Sequence, residues 1–550
     1  MKRTSLRPRL VVTADGRGVV NHAGARMLVD LADVTGLSAA VSEALAPLRQ
    51  RDSGHSPGRV AVDLAVMLAE GGEAIADLTV LRNQPALFGS VASDATAWRV
   101  LNGIDAAALA RIRVARARAR ELSWMQAAET GRLLSSTVGG LAIPGFVLDM
   151  DATIVLCHSE KEQAAKTWKK TWGYHPLLCF LDATGEALSG LLRAGNAGSN
   201  TAADHITVLD QALAQIPDAH RHGSDVLIRC DSAGASHAFL RHIRGLRGQG
   251  VRTFFSVGVA ITEPIRTAIT ACVDWISALD ADRELRDGAE IAELTHLVDL
   301  SAYPQGTRMI VRRERPHPGA QLSVFDTVEG MRHQVFITDS PRPTCSLQLL
   351  ELRHRAHARV EDRIRTGKDS GFGRFPSRQF AINAAWLELA LVGIDLLAWT
   401  RVLLLDSTHA LAEPKKLRYR LLHVAARIVR TAHASTSASP RPGPGPTNWP
   451  RPTPALSPCH DQPVEHLPRN HLQGTQEQAG QPSRRPSLPP PQSPQASRIV
   501  DQLPSGDRST ARPGLVHSDR KLLVPAEHEL PGLVRLAARR EPGKAVEQGG

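Results

Sequence analysis

Apolar positions recur at helical spacing through roughly the first 135 residues. Ala25 to Ala46 and Val60 to Ala69 carry Ala, Leu and Val every three or four positions; Gly71-Gly72 interrupts, and Glu73 to Arg82 resumes the pattern. Ser93 or Asp94 can cap a further helix running through Arg99. Arg111, Arg113, Arg116, Arg118 and Arg120 then follow on a helix. Such a run is ordinarily a solvated face, and here it would also extend a phosphate-binding surface. Short helices joined by tight turns suit a helix-turn-helix-like reader of DNA, and suit any small helical bundle equally well.

At Gly145 the period falls to two. Phe146 to Leu156 alternates apolar and polar around Asp149 and Asp151, which predicts a strand. Pro176 to Asp182 reads as a second strand ending in the turn Ala183-Thr184-Gly185, and Leu188 to Leu192 as a third, an antiparallel meander. Thr201 to Gln215 is helical, Val226 to Asp231 a buried strand, and Ala238 to Arg247 a helix. Strands followed by alternating strand and helix predict a mixed α/β sheet. Thr253 to Val257, Met309 to Arg312 and His333 to Thr338 predict further strands, with Glu284 to Val298 ambiguous, so residues 251–345 read as a β-rich insertion. The apolar run Ala384 to Leu405 resumes the main core, and Lys415 to Val429 reads as one more packing helix.

From about His433 the composition changes. Of 36 prolines in the chain, 21 fall in residues 434–550, among Ser, Gln, Gly and Arg, which predicts a disordered tail outside the fold. The abrupt stop of a packing helix where this tail begins motivates the hypothesis of a shifted reading frame, which translating the source DNA in the other two frames would test. The expected organisation is a helical N-terminal DNA-binding region (1–135), a catalytic core in two parts (136–250 and 346–432) split by the insertion, and the tail (433–550).

The formal net charge of +11 favours a polyanionic partner, nucleic acid or an anionic membrane surface. The run Ala384 to Leu405 contains Glu388, Asp395 and Arg401, each costing about 2.5–3.5 kcal/mol near a bilayer centre, so a buried helix is expected and no membrane partner. Six scattered cysteines without a CxxC pair argue against a zinc ribbon or a disulfide framework and fit a reducing cytoplasm. Met1 to Arg9 is basic but leads into no apolar core of signal-peptide length.

His354 to Lys368 predicts a basic helix with Glu361 at its centre. Leu352, Ala356, Val360 and Ile364 form an apolar stripe, and Glu361 and Lys368 lie two turns apart on roughly one side. Alone it is a surface helix with ordinary Glu/Arg pairs. Asp151 in the first strand and Asp231 at the end of a central strand add meaning to it, because carboxylates converging at a sheet rim can hold a pair of Mg²⁺ ions. A strand-end aspartate also commonly caps the next helix. Asp149 and Asp151 share one face of a regular strand, so periodicity does not say which of them is the ligand.

Asp151-Ala152-Thr153, Arg229-Cys230-Asp231-Ser232 and the Glu361 to Lys368 helix resemble the three catalytic blocks of DDE-type transposases of bacterial insertion sequences, in particular the insertion-sequence family numbered 1380. The resemblance covers roughly residues 1–432 and implies a ribonuclease-H-like core interrupted by a β-rich insertion before the final Glu. Separations of 80 residues from Asp151 to Asp231 and 130 from Asp231 to Glu361 accommodate that plan. It implies Asp151, chosen by the Asp-x-Thr match, with Asp231 and Glu361 as catalytic metal ligands for two Mg²⁺ (or Mn²⁺) ions. It also implies Lys368 at a phosphate near the cleaved end. The wider group carries a Tyr-x2-Arg-x3-Glu-x6-Lys signature; here His354 and His357 stand at the Tyr and Arg positions, and Arg355, Arg359, Arg363 and Arg365 could partly substitute. The implied activity is cutting double-stranded DNA at terminal inverted repeats and joining the 3′-hydroxyl ends to a target, as a homodimer on DNA in the cytoplasm. The rival readings are a nuclease that does not join ends, and a non-catalytic DNA-binding protein or inactive remnant.

Overall fold

The computed structural model describes residues 18–50, 54–316, 318–319, 322–341, 345–430 and 435–438. The basic leader and nearly all of the proline-rich segment expected to be a disordered tail lie outside the described residues.

A nine-stranded sheet is built from β1 (Phe146–Ala152), β2 (Leu177–Leu181), β3 (Ala187–Leu191), β4 (Asp225–Cys230), β5 (Arg252–Val259), β6 (Ile276–Leu279), β7 (Leu285–Glu293), β8 (Arg308–Glu314) and β9 (Arg332–Thr338). Its order is β6-β7-β8-β9-β5-β4-β1-β2-β3. The central strands β1, β4 and β5 run parallel. The meander β1-β2-β3 is antiparallel on one side, and β9, β8, β7 and β6 continue antiparallel on the other. The residues read as an insertion thus lengthen the sheet itself, and the ambiguous stretch contributes β7. Gly145 opens β1 at φ 79°, and a Cβ there would lie 2.1 Å from the Asp225 carbonyl oxygen, so the first strand enters beside β4 only with glycine.

One face of the central strands is dry. Leu148, Met150, Ile228 and Cys230 pack with Val208, Leu209 and Ala212 of a helix Ala202–Leu213 and with Phe239, Leu240 and Ile243 of a helix His237–Gly245. The alternate residues Val147 and Leu227 face Leu352 instead.

Leu352 belongs to α3 (Leu347–Arg355), which precedes α4 (Arg359–Gly367); α1 (Pro57–Ala69), α2 (Ala106–Glu129) and α5 (Phe380–Trp399) complete the helices used below. Helix α5 is long and apolar enough to cross a membrane, but 83% of its apolar window is buried inside the protein, against α1 and other helices of the first 120 residues. Gly393 faces the Ala65 carbonyl of α1 at the crossing, where a Cβ would sit at 2.8 Å.

Three expectations give way. The arginine run is not wholly a solvated face, since Arg116 and Arg120 of α2 are fully buried. The basic helix His354 to Lys368 is broken by a 3-10 turn, Ala356–Ala358, so that His354 and His357 both turn toward the sheet. Lys415 to Val429 is helical only as far as Leu422. A short helix Pro414–Leu417 passes through a turn, Arg418–Leu422, into a strand Ala426–Arg430, where Ala426 and Arg427 pair with Val20 and Val19. That pairing partner lies some 400 residues upstream and leaves no local mark in the sequence.

Candidate active site

Parallel β1 and β4 set Asp149 beside Arg229 and Met150 beside Cys230. One step on, Asp151, still paired with Leu178, and Asp231, just past the end of β4, lie on the face that α3 and α4 cover. Adjacent strand ends in a parallel sheet are a recurrent place for ligands, because the loops part there.

The two aspartates of β1 meet different fates. Asp149 is buried and accepts from Arg229 Nε at 2.8 Å and Nη2 at 2.7 Å, and its Oδ1 lies 2.8 Å from His357 Nδ1. Burial alone would raise its carboxyl, but Arg229 and His357 outweigh burial and hold it below the usual value. Arg229, fully buried, also reaches Asp182 at 2.9 Å and the Arg353 carbonyl at 2.8 Å, tying β1, β2, β4 and α3 together. Asp151 has only the Ala152 N–H, at 2.7 Å to Oδ1. Burial, then the charge of Asp231, pushes its carboxyl up to about 6, with Glu361 adding to the rise and His357 opposing it.

Asp231 is exposed, and its Oδ1 accepts from Ala233 N at 2.9 Å, capping the turn Ser232–Gly234. The capping role and the rim position therefore coexist. Glu361 lies in the first turn of α4, exposed, while Val360 and Ile364 fix the helix to the core. It lines two cavities: one of about 440 Å³ shared with Asp231, His354 and His357, the other of about 400 Å³ shared with Asp151, Thr153 and Lys368. Glu361 thus stands between the two aspartates. Three oxygen-donor side chains, with no arginine or lysine among the described residues paired to any of them, fit a hard divalent cation.

The basic residues are distributed as follows. Lys368 donates to the Ile154 carbonyl at 2.9 Å beside Asp151, and burial, with Lys169, lowers its ammonium below the ordinary lysine value. Arg355 is held by Glu351 at 2.9 Å and by the Leu279 carbonyl, and lines the cavity that holds Asp231. Arg359 bonds the Thr137 carbonyl at 2.9 Å and Asp182 at 3.3 Å. Arg365, half exposed, pairs with Asp362 and Glu413. His354, at the signature's Tyr position, is partly buried and stacks on Phe336, with rings 4.2 Å apart and nearly parallel, and lies 3.0 Å from Ser256 Oγ. His357, at the Arg position, keeps a buried Nε2 without a hydrogen-bond partner.

Arg229 and His357 stand in the motifs quoted above, but their clamp on Asp149, which leaves Asp151 without a basic partner at hydrogen-bond distance, is not visible in the sequence. The only available signal was the alternation that places Arg229 one step before Asp231, on the same face.

The raised Asp151 carboxyl has a measurable consequence. Below about pH 4 the acid is protonated folded and unfolded alike and costs nothing; between about 4 and 6 the unfolded chain ionises first, so the cost to the fold grows with pH and is complete above about 6. Asp151→Asn is expected to stabilise the metal-free protein at pH 7.5 by about 2 kcal/mol, allowing for partial exposure, and to change almost nothing near pH 3. Urea unfolding in a chelator reads this directly, and equal stability of the two proteins at pH 7.5 would refute the crowding of charge.

Residues 2–438 match the family model described as transposase DDE domain, group 1. None of the curated proteins matches the chain in sequence. Among solved structures, the cryo-EM structure of a piggyBac transposase synaptic complex with hairpin DNA is similar over 74% of this chain and 82% of that one, at 9% identity and a TM-score of 0.34.

Proposed function

The chain belongs to the family of transposases with a group 1 DDE domain, and from that premise we propose that Asp151, Asp231 and Glu361 are its catalytic carboxylates and that it cuts and joins DNA as the transposase of an insertion sequence. The observation that carries this is the placement of Asp151 and Asp231 on neighbouring parallel strand ends under Glu361, with Asp149 already taken by Arg229 and His357. A ribonuclease-H-like core is part of the proposal. The order β3-β2-β1-β4-β5, an antiparallel meander followed by two parallel strands, supports it. So is membership of the insertion-sequence family numbered 1380, and the division into an N-terminal DNA-reading part (1–135), a core (136–250 and 346–432) and an insertion (251–345).

Two Mg²⁺ or Mn²⁺ ions held by the three acids would activate the attacking oxygen and offset charge on the leaving one. The chain's own groups do the rest. Lys368, next to Asp151 and Glu361, is placed for a phosphate oxygen near the cleaved end. Arg355, beside Asp231, and Arg359 and Arg365, on α4, extend a cationic path for the backbone, whose contacts weaken with salt. The buried clamp of Arg229 on Asp149 fixes the two strand ends, so the acids do not shift as DNA enters. Hydrolysis of a terminal phosphodiester frees a 3′-hydroxyl; that hydroxyl attacks a target phosphodiester, whose own 3′-oxygen leaves. Pairing of two element ends implies a dimer on DNA, acting in the cytoplasm.

The test uses the full chain with Mg²⁺ and a labelled duplex bearing the element's own inverted repeats. Nicking at the ends followed by joining to a second duplex is expected. Nicking without joining would make the protein a nuclease, and binding without nicking a non-catalytic DNA-binding protein.

A further inference from the structure

Away from the acids, three segments distant in sequence meet at Glu70. This residue follows the last turn of α1 and is buried, 6% exposed. Its Oε2 lies 2.7 Å from His22 Nδ1 and 3.4 Å from His423 Nε2, which also bonds the Glu70 carbonyl oxygen at 3.1 Å, a bond that an ion would replace, and the two imidazole rings are 4.3 Å apart at 45°. All three ligand atoms fall within 4.8 Å of one another, a grouping the acids at the sheet edge do not reach. Hydrogen bonding does not exhaust the cluster, because Glu70 Oε1 is buried without any hydrogen-bond partner. Arg418 is near enough to feel the Glu70 charge but donates elsewhere, to the Ala69 carbonyl at 2.8 Å and to Ser370 Oγ at 2.7 Å. His22 holds its ring in place with a left-handed backbone, φ 54°, a conformation that costs a non-glycine residue energy and so needs a compensating contact.

We propose that His22, Glu70 and His423 form a site for a transition-metal ion of the Zn²⁺ type that fastens the start of the fold to its last segment. Two imidazoles and one carboxylate are a donor set such ions take readily, and the partly exposed His22 and exposed His423 leave a fourth position open to water. Tetrahedral coordination at ordinary Zn–N and Zn–O lengths sets ligand atoms about 3.3 Å apart, close to the present separation for His423 and a displacement of about half an ångström for His22. The site has a structural consequence. His423 directly follows the turn whose Arg418 bonds Ser370, and Lys415 just before that turn pairs with Asp369 at 2.8 Å. Asp369 and Ser370 directly follow Lys368, so an ion at Glu70 would brace the turn that carries this lysine from behind.

Zn²⁺ and Co²⁺ titration of the full-length, chelator-stripped protein tests the site, followed by metal content after gel filtration, the Co²⁺ visible spectrum and thermal unfolding. Wild type and Asp231→Asn are both expected to retain about one ion per chain with the intense d–d bands of a four-coordinate Co²⁺ centre and a raised Tm. Glu70→Gln and His423→Gln should bind on the order of a hundredfold more weakly and lose those bands. His22→Asn, at the partly exposed position, supplies a variant that remains folded if the Glu70 change does not. Equal retention by wild type and these variants, or no retained ion in wild type, would overturn the proposal, and the Asp231→Asn arm separates it from ions held by the acids.

Discussion

Asp231→Asn is expected to lower metal-dependent cleavage of the element's own ends by on the order of a thousandfold, about 4 kcal/mol in the barrier, while duplex binding and unfolding stay near wild type. The substitution removes a charge and little else. Asparagine has the same shape, and its side-chain oxygen can still accept from Ala233 N, the cap that Asp231 Oδ1 makes now. Asp231 is exposed at the rim, so no buried partner is stranded by the change. The loss therefore falls on the chemistry. The companion change Asp149→Asn behaves differently. It takes the charge from a carboxylate clamped by Arg229 and His357, so stability should fall along with cleavage. Cleavage by Asp231→Asn at the wild-type rate would remove Asp231 from the mechanism, and with it the three-acid site.

The rim acids were legible because their strands announce themselves. An alternating strand holds Asp149 and Asp151, an apolar run ends in Asp231, and the likeness of three short blocks to a known family joins Glu361 to them. What stayed illegible depends on partners far away in the chain. Asp149 and Asp151 point to the same face, so only the contacts of Arg229, 80 residues on, and of His357, 208 residues on, separate the clamped carboxylate from the unclamped one. The strand Ala426–Arg430 was hidden in the same way, since its partner is the first strand of the described chain. The break at Ala356–Ala358 follows from two histidines that both turn inward, where the apolar stripe alone asked for a continuous helix. The arginines of α2 were the largest misreading. Spaced at two and three residues and surrounded by alanine, they resemble a solvated face, yet Arg116 and Arg120 are fully buried.

Those arginines carry the largest stability effect expected in the molecule. Arg116 Nη1 pairs with Glu388 at 2.5 Å and Nη2 with Asp395 at 2.8 Å; Arg120 pairs with Asp395 at 2.6 Å and with Glu186 at 2.9 Å. Asp395 Oδ1 also accepts from the Ala187 N–H at 3.0 Å, at the start of β3, and Glu186 is closed by the indole N–H groups of Trp124 and Trp399. The acids that argued against a membrane span in α5 are thus neutralised by a helix some 270 residues upstream, across the junction of α2, α5 and the sheet. Asp395→Ala would leave two guanidinium groups and a backbone N–H short of an acceptor in a site without water access. A loss of about 3–5 kcal/mol is expected, visible as a large drop in the urea midpoint or as insoluble expression. The control lies on the same helix. Arg118 meets Glu43 at 3.4 Å with both side chains mostly exposed, and Arg118→Ala should leave the midpoint where it is. If Asp395→Ala unfolds at the wild-type midpoint, the network contributes nothing, and α2 is held to α5 by its alanines alone.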